Sequence, residues 1–269
     1  MPGGLKDSSR TRVAPVFDHL RSRSDDWVRK LLSLAEGGHP SAGVRSELDL
    51  SCVRGHWAPH ELPLRPAVSL LSWLIRNANR LDLSTNESTE RRLLYEGDQV
   101  TISRALQLLR TENANRGWYV FEGPTYPDAV IETPDAIVVV EGKRTEPGAT
   151  TKTTWLPGRH QIWRHVDAAW EIKGRRTVYG LFIVESGGEA VDDAWQKAAK
   201  YTLADDTLDT SFPHRGKAER DDISKSFLGV VTWRAICSAF ALPYDSLPDT
   251  LPDLHAQGET GNKLPSIRG

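Results

Sequence analysis

Residues 126–146, YPDAVIETPDAIVVVEGKRTE, set the frame for the rest of the chain. Pro127-Asp128 opens one apolar segment, and a β-branched run over residues 137–140 ends in Glu141-Gly142-Lys143. Thr133-Pro134-Asp135 lies between them, and Pro and Asp are turn formers. Two short apolar runs about a turn predict a hairpin. With Pro134 and Asp135 as a two-residue turn, Asp128 falls opposite Glu141, ~5 Å away at Cβ. Side chains alternate along a strand, so Glu141 and Lys143 share a face. A one-residue slip would send Asp128 to the other face, so the turn decides the constellation.

Three charges at the end of a Val/Ile strand are costly unless paired or bound to a metal. Two carboxylates are hard oxygen ligands of the kind Mg²⁺ takes, with water and phosphate oxygens filling the octahedron. A nearby Lys orients or helps deprotonate a water, or steadies charge on a phosphate. The residue types suit metal-assisted phosphodiester hydrolysis. A solvated acid–base cluster on a hairpin is the plain alternative.

Pro127-Asp128 followed by Glu141-Gly142-Lys143 resembles the PD-(D/E)xK nuclease superfamily, the restriction-endonuclease-like fold. The resemblance implies that Asp128 and Glu141 bind the metal, that the Gly142 carbonyl is a backbone ligand and that Lys143 is the catalytic lysine. It also implies Mg²⁺ as cofactor, with Mn²⁺ able to substitute.

The chain has 269 residues, a formal net charge of −2, two cysteines and nine tryptophans. That length holds one large domain or a domain with an extension. Near-balanced charge means that nucleic-acid contact must come from local basic patches. Cys52 and Cys237 suggest no disulfide framework, which fits a reducing cytoplasm. No signal peptide is evident and no apolar stretch reaches a membrane span, so a cytoplasmic protein without membrane contact is expected.

In chain order, residues 1–10 read as a frayed tail and residues 12–35 as two short helices. Residues 41–62 look irregular. Cys52, His56 and His60 recur every four residues, but Gly55 and Pro59 between them favour ordinary surface or packing roles over zinc. Residues 64–81 form an amphipathic helix, and a soft boundary falls near residue 84. Residues 85–112 are helical, interrupted at Gly97-Asp98. In the superfamily the helix before the first strand often carries a further acid, for which Glu90 is the candidate, with Glu87 and Glu96 as rivals. Residues 117–121, GWYVF, read as a first strand. Glu122 either joins the site or caps the loop.

After Lys143, Arg144 and Lys152 are candidate phosphate contacts in a Thr-rich loop. Pro157 opens the next helix, whose start gathers Arg159, His160, Gln161, Arg164 and His165 as a potential anion site. Some branches of the superfamily carry Gln-x3-Tyr here; this chain reads Gln161-x3-His165. Gln161 and His160 are the helper candidates, with Arg159, His160 and Arg164 as nucleic-acid contacts. Residues 176–185 are a strand, 192–203 a helix, 204–226 a charged loop with some helix, and 227–233 the last strand. A helix follows, and residues beyond 246 are expected to be a flexible tail.

The expected fold is therefore α/β (α+β), a restriction-endonuclease-like αβββαβ core with a mixed central sheet. The expected organisation is a helical N-terminal extension (1–84), a nuclease-like domain (85–245) and a tail (246–269). The expected function is a Mg²⁺-dependent nuclease in which Asp128 and Glu141 bind metal and Lys143 assists the attacking water. Glu90 and Gln161 are further catalytic candidates. DNA is favoured as substrate by analogy, with a homodimer or a targeting subunit as possible partner. A catalytically silent nuclease-fold module that binds nucleic acid or protein is the alternative. An enzyme acting on another phosphate ester is a third.

Overall fold

The computed structural model describes residues 7–23, 26–43, 47–81, 88–111, 117–146, 148–149, 155–185 and 189–250. A π-helical turn, Ser9–Val13, leads into α1 (Ala14–Arg23) and α2 (Trp27–Ser33), then β1 (Glu36–Gly37) and β2 (Arg54–Trp57). Next come α3 (Val68–Arg76), α4 (Thr89–Tyr95) and α5 (Gln99–Thr111), followed by β3 (Ala129–Glu132) and β4 (Ala136–Lys143). Then α6 (Gln161–Ile172) precedes β5 (Thr177–Val184), α7 (Glu189–Thr202), α8 (Asp205–Ser211) and α9 (Lys217–Ser224). β6 (Phe227–Thr232) and α10 (Trp233–Ala239) follow.

The strands form one mixed six-stranded sheet in the order β1-β6-β5-β4-β3-β2. The pairs β2–β3 and β3–β4 are antiparallel, β4–β5 and β5–β6 are parallel, and β1–β6 is antiparallel. β4 is buried along its whole length, as its run of β-branched residues requires of a central strand covered on both faces. Its alternation divides two cores. Val138 and Val140 pack with Val16, Phe17 and Trp233 on the face of α1, α2 and α10. Ile137 and Val139 pack with Ile162, Trp163 and Val166 of α6 on the other. A third cluster joins α3, α4 and α5 to Tyr119, Phe121 and Leu156.

The hairpin has the expected register. Ala129 pairs with Val140 and Glu132 with Ile137. Thr133 donates its N–H to the Ala136 carbonyl at 2.9 Å, leaving Pro134 and Asp135 at the tip. Continued by one residue, this pairing sets Asp128 against Glu141. The helix-crossover strands β5 and β6 also fall where the sequence places them.

Other expectations need correction. Residues 117–121 form no strand. Tyr119 and Phe121 turn into the third core, and Arg91 takes the carbonyls of Trp118 (2.7 Å) and Val120 (2.9 Å) that a sheet would have used. The strand beside β3 is instead β2, from residues read as irregular, so the N-terminal part is not purely helical and supplies both edges of the sheet. Helix α6 begins at Gln161, because Pro157 and Gly158 (φ 88°) make a turn ahead of it. Beyond residue 246, Leu247 is buried in the first core and Asp249 pairs with Arg144 at 3.1 Å. No helix among the described residues is long and apolar enough to cross a membrane.

Candidate active site

β4 outruns β3. Among the described residues, its last three, Glu141, Gly142 and Lys143, pair with β5 and with no other strand. The Lys143 carbonyl accepts from the N–H of Glu185 at 3.1 Å and from Trp233 Nε1 at 3.3 Å, so its backbone faces β5. Strand alternation then turns the N–H and carbonyl of Gly142 the other way, past the end of β3. There the Gly142 N–H donates to Asp128 Oδ2 at 2.8 Å. A side chain carboxylate thus takes over where the β3 backbone stops. The fit is tight: a Cβ on Gly142 would lie 3.0 Å from Val13 Cγ2, 3.1 Å from Asp128 Oδ2 and 3.1 Å from Trp233 Cζ2.

Asp128 also accepts from Ser9 Oγ (2.5 Å, to Oδ1) and Ser8 Oγ (3.4 Å, to Oδ2). Burial and the neighbouring Glu141 push its carboxyl up to about 8. The bonds from Ser9 and Gly142 and the charge of Lys143 offset only part of that.

Glu141 is held on both oxygens. Oε1 accepts from Gln161 Nε2 at 2.6 Å and pairs with Lys143 Nζ at 3.0 Å, while Oε2 lies 3.0 Å from His165 Nε2. Gln161 and His165, four residues apart, share one face of α6. The other ring nitrogen of His165, Nδ1, is 2.7 Å from Thr125 Oγ1, and both residues are buried. Burial alone would raise Glu141, yet His165 and Lys143 outweigh it and hold its carboxyl below the ordinary range. His160, just before α6, is buried with Nε2 3.3 Å from Thr202 Oγ1. Burial, then the charge of Lys143, lowers its imidazole to about 4.

The structure therefore brings together Asp128, Glu141, Gly142, Lys143 and Gln161. The other candidates sit elsewhere. Glu90 lies on α4, whose Leu94 packs in the third core, and makes no hydrogen bond or ion pair with Asp128, Glu141 or Lys143. Lys152 and Glu87 lie outside the described residues. The expected phosphate-binding arginines are engaged by acids. Arg144 pairs with Asp249 and lies 3.7 Å from Glu185. Arg159 is buried between Glu122 and Asp167 (2.6 Å) and donates to the Ser211 carbonyl at 3.2 Å. Arg164 lies 3.5 Å from Glu122 but keeps a quarter of its side chain exposed, so it alone of the three reaches solvent appreciably. Glu122 serves this ion-pair network. His56 approaches Glu132 at 3.5 Å, and Cys52 is exposed. Among the described residues no three His, Cys, Asp or Glu side chains are grouped to hold a metal.

His165, Thr125 and Ser9 complete the surroundings of the two carboxylates. The first was visible as Gln161-x3-His165, one helical turn apart. The other two join across 40 and 119 residues, and no local pattern marks them.

Comparison with protein-family models, with curated proteins and with solved structures gave no match.

Proposed function

We propose that the protein is a metal-dependent nuclease of PD-(D/E)xK type that hydrolyses phosphodiester bonds in DNA. The observation that carries this reading is the strand-end cluster, where Asp128 Oδ2 accepts from the Gly142 N–H at 2.8 Å and Lys143 Nζ lies 3.0 Å from Oε1 of the adjoining Glu141. Burial first, and the neighbouring Glu141 second, lift Asp128 to about 8, and a bound cation would relieve both the desolvation and the repulsion. The donor set fits Mg²⁺, which keeps several waters and needs few protein oxygens. Asp128, Glu141 and the Gly142 carbonyl would hold it, with Mn²⁺ able to substitute. The bound ion supplies charge neutralisation at the phosphate and a more acidic water.

The remaining chemistry belongs to the chain. Lys143 places an ammonium where charge develops on phosphoryl oxygens and orients the attacking water. Gln161 and His165 fix the Glu141 carboxylate, and Thr125 fixes the His165 ring. Ser9 and the Gly142 N–H fix Asp128.

Circular, linear and single-stranded DNA incubated with Mg²⁺, Mn²⁺ or EDTA tests the reading. Wild type should cut only with metal, and Lys143→Ala should lose about 10²-fold or more of the rate, as removal of a charge-stabilising donor does. A folded wild type that cuts nothing in any lane overturns it. One observation favours a second reading, the silent binding module: both Glu141 oxygens are already taken by three side chains. Uncut DNA bound in a salt-dependent way, and equally well by Asp128→Asn, would establish that alternative.

A further inference from the structure

Five large apolar or aromatic side chains are exposed among the described residues: Val68, Val100, Tyr126, Ile172 and Tyr201. Val68 and Val100 sit on α3 and α5, and Ile172 ends α6 at the far end from Gln161. The two aromatic ones connect to the carboxylate cluster, Tyr126 along the chain and Tyr201 through His160 and Gln161. Tyr126 is 57% exposed and precedes Asp128 by two residues, with Pro127 fixing the backbone between them. At ~3.6 Å per residue their Cα atoms lie within about 7 Å. Tyr126 makes no hydrogen bond or ring contact with another described residue. Tyr201 is 54% exposed near the end of α7, and its ring centroid is 6.2 Å from that of His160. His160 adjoins Gln161, whose amide rests on Glu141. One exposed ring is thus reached from Asp128 and the other from the Gln161 side of Glu141.

Among the described residues, Arg164 alone of the three expected phosphate-binding arginines reaches solvent appreciably. The chain carries a formal −2, and Arg144 and Arg159 are committed to internal ion pairs. Exposed rings offer binding a second source besides charge. A half-exposed tyrosine ring presents an apolar face with a wet polar tip, suited to an interface. Unpaired bases offer π-faces that stack on such rings, whereas bases inside a duplex are already stacked on each other.

We infer that Tyr126 and Tyr201 are nucleobase-stacking platforms flanking the Asp128–Glu141–Lys143 cluster, which makes unpaired DNA the substrate class of this site. The inference rests on the nuclease reading above. Each ring contributes what base–aromatic stacking contributes elsewhere, about 5- to 150-fold in affinity per base.

The test is binding of a fluorescent oligodeoxythymidylate of about 12 nucleotides, a length within known single-strand site sizes, against a duplex of equal length. EDTA is present throughout so that nothing is cut. Tyr126→Leu and Tyr201→Leu should each weaken single-strand binding by about 5- to 150-fold, Tyr126→Phe and Tyr201→Phe should bind within about twofold of wild type, and duplex binding should stay unchanged. The exposed positions leave folding intact, which circular dichroism verifies. If wild type cuts DNA in the metal assay above and binds it here, while both Leu variants match it or lose single-strand and duplex binding equally, the stacking role is overturned and the nuclease reading stands. If wild type binds neither DNA, the stacking role fails, and the nuclease reading is decided by the cleavage assay with metal.

Discussion

Asp128 and Glu141 meet one step beyond the last paired residues of the β3–β4 hairpin and are held in opposite directions. Burial and Glu141 lift Asp128 to about 8, while His165 and Lys143 keep Glu141 below the ordinary carboxylate range despite its burial. Near neutral pH the pair shares its proton unequally, with Glu141 charged and Asp128 largely protonated. Local donors explain the asymmetry. Glu141 has three side chains on it, one of them an ammonium, whereas Asp128 has two serine hydroxyls and a backbone N–H.

This fixes the sign of a pH effect. The folded Asp128 binds its proton up to about pH 8, and the unfolded one releases it near its ordinary value of 3.8. Between those limits the folded state holds more protons, so the contribution of Asp128 to stability falls as pH rises through the window. In EDTA, wild type should resist urea better at pH 5 than at pH 8.5, and Asp128→Asn should flatten most of that slope. Added Mg²⁺ should restore wild-type stability at pH 8.5 and leave the variant unchanged. A wild type whose stability rises from pH 5 to 8.5 in EDTA would contradict the argument.

His165 links Glu141 to Thr125 through 3.0 and 2.7 Å contacts inside the protein. Removing the imidazole leaves a carboxylate oxygen and a hydroxyl short of a buried partner. His165→Ala should cost about 2–5 kcal/mol, the sum of lost packing and unmet hydrogen bonds. Thr125→Val strips one bond at nearly constant shape and should cost only about 1–2 kcal/mol. Equilibrium denaturation of the two variants decides the order, and a larger loss for Thr125→Val would show that the ring is not the centre of the relay.

Much of this was legible locally. Pro134-Asp135 fixed the hairpin register, and the register fixed the alignment of Asp128 with Glu141. The 3.6-residue period of Ile162, Trp163, Val166 and Ala169 marks α6 as a helix with one packed face, and in the fold that face lies against Ile137 and Val139 of β4. The strand beside β3 was not legible, because RGHW at 54–57 is short and Gly-containing, whereas GWYVF looks far more strand-like. Its aromatic residues found a helical cluster instead. The pairing of the arginines was not legible for a related reason. Composition counts a positive charge at Arg159 and Arg144 but cannot see that Asp167, Glu122, Glu185 and Asp249 fold onto them.

Arg159 shows what that pairing is worth. Its guanidinium spans Glu122, Asp167 and the Ser211 carbonyl, and Asp167 is shared with Arg215 at 2.7 Å. Removing one partner of a buried network leaves uncompensated charge, so Arg159→Ala should lose about 3–5 kcal/mol. Arg159→Lys keeps the charge but lacks the planar fork that reaches three acceptors, and should recover only part of the loss. Lys217→Ala removes an exposed pair with Asp221 and should stay within about 0.5 kcal/mol. Urea midpoints of the three variants give the comparison, and an Arg159→Ala as stable as Lys217→Ala would mean that the network contributes nothing.

Gly142 offers the sharpest separation of fold from site. A methyl group there would press on Val13, Trp233 and Asp128 Oδ2, all within 3.0–3.1 Å. The first two are packed in the core and can yield little, so Gly142→Ala should cost about 1–3 kcal/mol from overpacking. The third is a candidate metal ligand, and the methyl would push it off the Gly142 N–H. Metal-dependent cleavage should therefore fall further than stability does, by about 10²-fold or more, since a 1 Å misplacement carries that penalty. Gly123→Ala is the control, because a Cβ there meets nothing within 4 Å. It should leave both denaturation midpoint and cleavage rate at the wild-type level. A Gly142→Ala protein with normal cleavage would remove Asp128 Oδ2 from the reacting geometry, whatever its stability.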